Sequence, residues 1–257
     1  MKIIACIKQV PDSEAKVRSE SGKVSWGDAP LVINPFDEYA MEGALQQKEA
    51  NNGSTVTALC IGPESAKEAL KHALAMGADE AILVSDPALE EMDTAGAARI
   101  LAAAIQKIGD VDMVVFGRQT LDNGAGTTPA QTARILGWPM LGLAGQIKVQ
   151  DGRVTVERVI EEGRQTVSAK LPAVVSVVQS IGEPRYPSFM GIRKASKANI
   201  PVWSLSDLGA GASEPIVKRT EVINPPVQQT SIEIITGESP SEIADKLADK
   251  ILAEKIL

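Results

Sequence analysis

DMVVFGRQTLDNGAGTTPAQTARILGWP, residues 112–139, joins three patterns in one stretch. An apolar run short enough for a strand ends at Gly117. A glycine- and threonine-rich loop follows, and Pro129 stands where a first helical turn begins. A strand that opens through such a loop into a helix is the unit from which parallel sheets are built. Helix N-termini also bind anions, because their first amide N–H groups lack partners inside the helix. The loop carries no lysine and lacks the GxxxxGK[ST] spacing of a P-loop, so two readings stay open: a phosphate cradle, or an ordinary capped loop.

The flanking sequence repeats the unit. KIIACIK (2–8) leads through a long polar excursion to Asn34-Pro35-Phe36-Asp37. Asn34 is expected as N-cap there, Pro35 in the first turn, and Asp37 as favourable charge near the helix dipole. TVTALCI (55–61) passes Gly62-Pro63 into ESAKEALKHALAM, which Gly77 stops. AILVS (81–85) precedes TAGAARILAAAIQKI, and then comes the opening strand. Short, nearly continuous apolar strands alternating with helices predict an α/β fold with a doubly wound, mostly parallel sheet. The expected sheet is Rossmann-like.

The middle of the chain changes period. In 146–170, polar and apolar residues alternate around Asp151-Gly152 and Glu162-Gly163, which predicts added antiparallel strands joined by turns. AVVSVVQS (173–180) resumes the parallel pattern. From about residue 206, Gly, Pro and polar residues dominate, which reads as an extended arm. The arm ends in a helix with Ser239 as cap, Pro240 next and Glu242 in the capping-box position. Ile243, Leu247 and Ile251 form its apolar stripe, placed either against its own core or against a partner subunit. The expected division is 1–205, a nucleotide-binding domain, and 206–257, arm plus docking helix.

Composition narrows the function. The formal net charge is −7 and the pI about 5.0, against nucleic-acid binding. No apolar run approaches the roughly 20 residues needed to span a bilayer, and MKIIACIKQVPD is too short for a signal-peptide core. Two cysteines in 257 residues give no disulfide framework, and the expected compartment is the cytoplasm. Cys6 and Cys60 are expected as inert thiols in neighbouring strands. His72, the only histidine, is expected on a helix surface, with no nucleophile or orienting partner identifiable. GxGxxG after the first strand, a nucleophile elbow, a metal cluster and an acid–base pair are all missing from the pattern. The chain offers places to bind a nucleotide and little machinery to transform one.

Residues 156–175, VERVIEEGRQTVSAKLPAVV, resemble the signature of electron transfer flavoprotein beta subunits. Arg158, Glu161-Glu162-Gly163, Gln165 and Pro172-Ala173-Val174-Val175 carry the likeness. It continues in IKQVPD, NPFDEYAMEGAL, ALAMGADEAILV, GRQTLDNGAGTTPAQTARILGWP and EPRYPSFMGIRKASK, in order along most of the chain. The resemblance implies an electron carrier rather than an enzyme. It would form a heterodimer with an alpha subunit that holds most of the redox FAD. Electrons would pass from flavin dehydrogenases, such as acyl-CoA dehydrogenases, to a quinone reductase or other acceptor.

The resemblance also implies a second nucleotide in this subunit: AMP in ordinary members, or FAD in electron-bifurcating members that take electrons from NADH. Family positions for it map to Cys6, Lys8, Asn34, Pro35, Phe36, Asp37 and Ile61. In the opening loop they map to Gly117, Arg118, Gln119, Asp122, Asn123, Gly124, Ala125, Gly126, Thr127 and Thr128. The segment 183–197 corresponds to the recognition loop, with Tyr186, Phe189, Met190, Arg193 and Lys194 facing the dehydrogenase and Phe189 as anchor. Arg185, Arg193, Lys194 and Lys197 read as one basic cluster around it. The opening loop departs from both the DGxTAQVGP pattern of bifurcating members and the Gln-Thr-Gly of AMP-type members. AMP is the first expectation and FAD the alternative. The competing class is a nucleotide-hydrolysing or stress-protein-like domain, which would need its own phosphate motif.

Overall fold

The computed structural model describes residues 1–89, 92–211, 215–217, 220–224, 226 and 232–254. The chain forms two compact units, Met1–Val222 and Ile223–Leu257. The first begins with β1 (Lys2–Ile7), followed by four three-residue strands: β2 (Gln9–Pro11), β3 (Arg18–Glu20), β4 (Lys23–Ser25) and β5 (Leu31–Ile33). Helices and strands then alternate: α1 (Pro35–Ala50), β6 (Thr55–Ile61), α2 (Lys67–Met76), β7 (Glu80–Val84), α3 (Thr94–Ile108), β8 (Met113–Gly117) and α4 (Thr128–Leu136). Next come β9 (Met140–Gln150), β10 (Arg153–Ile160), β11 (Gly163–Lys170), β12 (Ala173–Val177), α5 (Phe189–Ala195) and β13 (Val202–Trp203). The second unit contains α6 (Pro240–Ala253).

Nine strands form one sheet in the order β11-β10-β9-β12-β8-β1-β6-β7-β13. Every pair from β9 to β13 in that order is parallel, while β10 runs antiparallel to both β9 and β11. The expected α/β architecture with its antiparallel addition is therefore present. At Asp151 and Gly152 both backbones take positive φ, +51° and +69°, as the tight β9–β10 turn requires.

The apolar runs are continuous because both faces of the central strands are covered. Ile3, Ala5 and Ile7 of β1 join Met41 and Leu45 of α1 and Leu70 of α2 on one face. Ile4 and Cys6 point the other way, into a second core with Ile100 and Ile105 of α3. Cys6 and Cys60 are buried free thiols on adjacent strands. Burial raises both, Cys60 to about 12, so neither is poised as a nucleophile. His72 lies half-exposed on α2, 3.0 Å from Glu38.

Several details differ from the sequence reading. The polar excursion between β1 and α1 holds two antiparallel pairs, β2–β5 and β3–β4. The stretch 64–76 opens with a turn of 3-10 helix before α2 starts at Lys67. Residues 189–195, read as loop, form the short helix α5, capped by Ser188 through Gly191 N. In the second unit Ser239 caps α6 as expected, its Oγ accepting from Glu242 N, but the Glu242 carboxylate accepts from Glu238 N, one residue before the partner a capping box would use. Leu247, Ile251 and Leu252 of α6 are exposed. The last three residues of the expected helix, 255–257, lie outside the described ones.

Candidate functional site

Strand order reverses at β1, whose neighbours β8 and β6 lead away in opposite directions. In open parallel sheets that reversal leaves a crevice beyond the strand carboxyl ends. A cleft of about 940 Å³ lies there, bounded by the residues that follow β1, β6, β7 and β8. This is near the top of the range of roughly 300–1,000 Å³ for small-molecule sites.

Asn34 is the joint of this site. It is fully buried at the start of α1 but makes no capping bond, which corrects its expected role. Its side chain turns outward instead. Asn34 Nδ2 donates to Gln119 O at 2.9 Å, and Leu121 N donates to Asn34 Oδ1 at 3.1 Å. Its backbone N–H donates to Lys8 O at 2.8 Å. One residue thus ties the end of β1, through its backbone, and the loop after β8, through its side chain, to the start of α1.

Asp37 sits one turn further on, at the cleft floor. Lys8 N donates to Asp37 Oδ2 at 2.9 Å. Burial pushes this carboxyl up to about 7, against hydrogen bonds from Asn34 and the Lys8 and Gly117 amides. Nearby, Lys8 Nζ pairs with Asp122 Oδ2, while Asp122 Oδ1 is buried without a partner among the described protein groups. Burial works to raise the Asp122 carboxyl; the hydrogen bonds from Lys8 and Thr120 outweigh it and hold it below the usual range.

Of the expected nucleotide residues, Cys6, Lys8, Asp37, Ile61, Gly117, Arg118, Gln119, Asn123, Ala125, Gly126 and Thr128 line the cleft. Asn34, Pro35, Phe36, Asp122, Gly124 and Thr127 do not; Asn34 and Asp122 act from behind the lining. Thr127 occupies the N-cap position of α4 and makes no side-chain cap bond to that helix's first turn. Arg118 is exposed at the rim. The wall contributed by Ser85, Asp86, Leu89, Met92, Asp93 and Thr94 was not anticipated. The signal for it was available: these residues follow the carboxyl end of another parallel strand, β7. Asp93 there caps α3, accepting from Gly96 N at 2.7 Å, and also accepts from Ile216 N and Val217 N.

The lining has two characters. Ile61, Leu89, Met92, Leu101 and Phe116 are apolar. Lys8, Arg118, Gln119, Thr120, Asn123 and Thr128 are polar or basic, and Asp37, Glu64, Asp86 and Asp93 add carboxyls elsewhere in the lining. An apolar slot beside an anion-attracting end fits a flat base joined to a phosphate.

Away from the cleft, Tyr186, Phe189, Met190 and Ile192 are exposed, Phe189 by 82%. Arg193 and Lys194 are exposed beside them. Arg185 is not part of that basic cluster: it forks onto Glu42 and Glu49 of α1. Its charge is spent on those carboxylates, which correspondingly raise its own pKa.

The profile of the electron transfer flavoprotein domain matches residues 26–208. The caffeyl-CoA reductase-Etf complex subunit CarD of Acetobacterium woodii is 35% identical, with all of both chains covered. The electron transfer flavoprotein subunit beta of Megasphaera elsdenii is 33% identical over all of both chains. That of Syntrophomonas wolfei is 36% identical over 97% of this chain and 95% of its own. This chain belongs to the electron transfer flavoprotein beta-subunit family. As a beta subunit it pairs Arg158 with a neutral partner: Arg158 Nη1 donates to Gln165 Oε1 at 3.3 Å across β10 and β11. Among its described residues, no helix is long and apolar enough to cross a membrane.

Proposed function

We propose that this chain is the beta subunit of a heterodimer that carries electrons from flavin dehydrogenases to a downstream acceptor, and that the cleft at β1 holds an adenine nucleotide. The cleft's position at the strand reversal carries the second half of this reading, together with its apolar slot and the N-terminus of α4. Family membership carries the first half. The main redox FAD then belongs to the alpha subunit, and the cytoplasm is the proposed compartment of the assembly.

AMP is the preferred occupant. The backbone at Ala125, Gly126 and Thr128 and the first turn of α4 would hold its phosphate. Asn123 and Gln119 lie within the same lining to meet polar groups, and Ile61, Leu89 and Phe116 would cover the base. A bound AMP supplies no redox chemistry; it stabilises the fold by linkage. Arg118 offers the remaining charge at the rim.

FAD is the second reading, favoured by one observation: the cleft continues from the glycine loop to the wall of Ser85, Asp86, Leu89, Met92, Asp93 and Thr94. The Acetobacterium woodii relative is, by its name, part of a complex with a caffeyl-CoA reductase, which agrees with a CoA-ester dehydrogenase or reductase as partner. Co-purified heterodimer, denatured and analysed by mass, decides between them. One AMP and one FAD per heterodimer is the expected result. Two flavins assign FAD to this cleft, and a single FAD with no second nucleotide removes the proposed occupant.

A further inference from the structure

The apolar group on and just before α5 is the most exposed run of large apolar side chains close together in sequence within the first unit's described residues. Tyr186, Phe189, Met190 and Ile192 are 91%, 82%, 71% and 52% exposed. A seven-residue helix has little stability of its own, since helix nucleation is costly and short helices depend on packing. Something must hold this head in one orientation.

Arg185 supplies that hold. Its Nε donates to Glu42 Oε2 at 2.8 Å and its Nη2 to Glu42 Oε1 at 3.0 Å, a two-pronged fork. Its Nη1 donates to Glu49 Oε1 at 2.5 Å, and its backbone N–H also donates to Glu42 Oε2. Glu42 and Glu49 lie two turns apart on α1, so the guanidinium spans both. Glu42 is itself buried, and Gln46 Nε2 reaches both Glu42 Oε1 and Ile181 O, which pins the chain just before Arg185. The burial that would raise the Glu42 carboxyl is outweighed by Arg185, which keeps it ionised.

On the far side of the head, Gly191 rests against the last turn of α2. A Cβ there would collide with the Ala75 carbonyl. The head is thus fixed at two points, on α1 and on α2, with its apolar side chains left free. A lysine could not reproduce the first fixture, because its ammonium is a compact point charge without the planar, five-donor fork that grips Glu42 from two nitrogens and Glu49 from a third.

We infer that Arg185, through Glu42 and Glu49, is a positioning residue that sets the orientation of the α5 docking head toward the electron donor. The inference rests on the reading that this head meets a dehydrogenase. Arg185 touches neither the nucleotide cleft nor the partner in this scheme; it acts only through the head's placement.

The test uses the intact heterodimer and an acyl-CoA dehydrogenase, reduced by its acyl-CoA, that reduces the wild-type heterodimer. Arg185→Lys and Glu49→Gln leave no new buried charge without a cationic neighbour, so both are expected to fold. Gly191→Ala disturbs the second fixture without changing any charge. Each should raise KM for the dehydrogenase roughly tenfold, about the binding equivalent of one charge-assisted hydrogen bond, with kcat unchanged. Amide hydrogen exchange over 189–195 should quicken while nucleotide content stays at wild-type level. Phe189→Ala separates the two ideas. If Phe189→Ala raises KM and Arg185→Lys does not, the positioning role is overturned and the head reading stands. If neither variant changes KM, the head is not the docking surface and the inference falls with it.

Discussion

Gly117 at the end of β8 lies so close to the first turn of α1 that a Cβ on it would stand 2.5 Å from Asp37 Oδ1 and 2.5 Å from Phe36 O. Only a residue without a side chain lets the strand end there and still donate its amide toward Asp37. Gly117→Ala must therefore push α1 off β8 at the cleft floor. The expected cost is about 1–3 kcal/mol, the usual penalty for overpacking. Thermal unfolding and retained nucleotide should fall together; a variant with wild-type values for both would show that the approach is slack.

The Asp37 carboxyl gives the protein a pH dependence with a definite sign. Its folded pKa of about 7 is above its ordinary value of 3.8. Between those values the native state holds a proton that the unfolded chain releases, so stability falls as pH rises from about 4 to about 7 and then levels off. The full span corresponds to something on the order of 4 kcal/mol. Glu42 and Asp122, held below their ordinary values, act with the opposite sign at lower pH. Asp37→Asn should flatten the slope between pH 4 and 7 in chemical denaturation; persistence of the slope would assign it elsewhere.

The parallel core was legible because its strands are buried on both faces and so read as unbroken apolar runs. The β9–β10–β11 addition was legible because alternation and Asp151-Gly152 leave few other conformations. The pairs β2–β5 and β3–β4 were not, since three-residue strands with polar members carry no measurable period. The glycine loop announced itself by composition, whereas the wall that includes Ser85, Leu89 and Met92 has only its place after β7 to mark it. Arg185 was misassigned for a physical reason: its partners Glu42 and Glu49 lie more than a hundred positions away, and charge along the chain says nothing about them. Asn34 had the right position for a cap, but burial under the loop gave its side chain better partners.

Gly126 tests the cradle. Its φ is +62°, and a Cβ would come 3.3 Å from Arg118 O. Valine strains that backbone and crowds the loop at once. Gly126→Val should lower stability by about 1–3 kcal/mol and loosen the bound nucleotide in the same preparation. Retention of nucleotide at full stoichiometry, even with a lower melting temperature, would remove the loop from the phosphate site.

Phe189 makes the opposite kind of prediction. At 82% exposure it contributes little to the fold, so Phe189→Ala should change stability by no more than about 0.5 kcal/mol. Electron delivery from the dehydrogenase should nevertheless slow at subsaturating concentrations, because a central aromatic anchor commonly dominates a contact. Stopped-flow flavin reduction across a dehydrogenase titration measures this directly, and coincident curves for variant and wild type would rule the anchor out.

The last prediction concerns α6, whose Leu247, Ile251 and Leu252 are exposed although they belong to one helix with a well-formed cap. A capped helix with uncovered leucine and isoleucine side chains leaves apolar surface in water, each side chain forgoing about 1.5–3 kcal/mol of burial. We expect that surface to be covered by the alpha-type subunit. Removing residues from Ser239 onward should then weaken heterodimer assembly while leaving the sheet intact, since all nine of its strands lie in the other compact unit. Co-purification with the tagged alpha subunit, with circular dichroism of the truncated chain as control, reads both effects. A truncated chain that still co-purifies at one-to-one stoichiometry would show that α6 is not what holds the two subunits together.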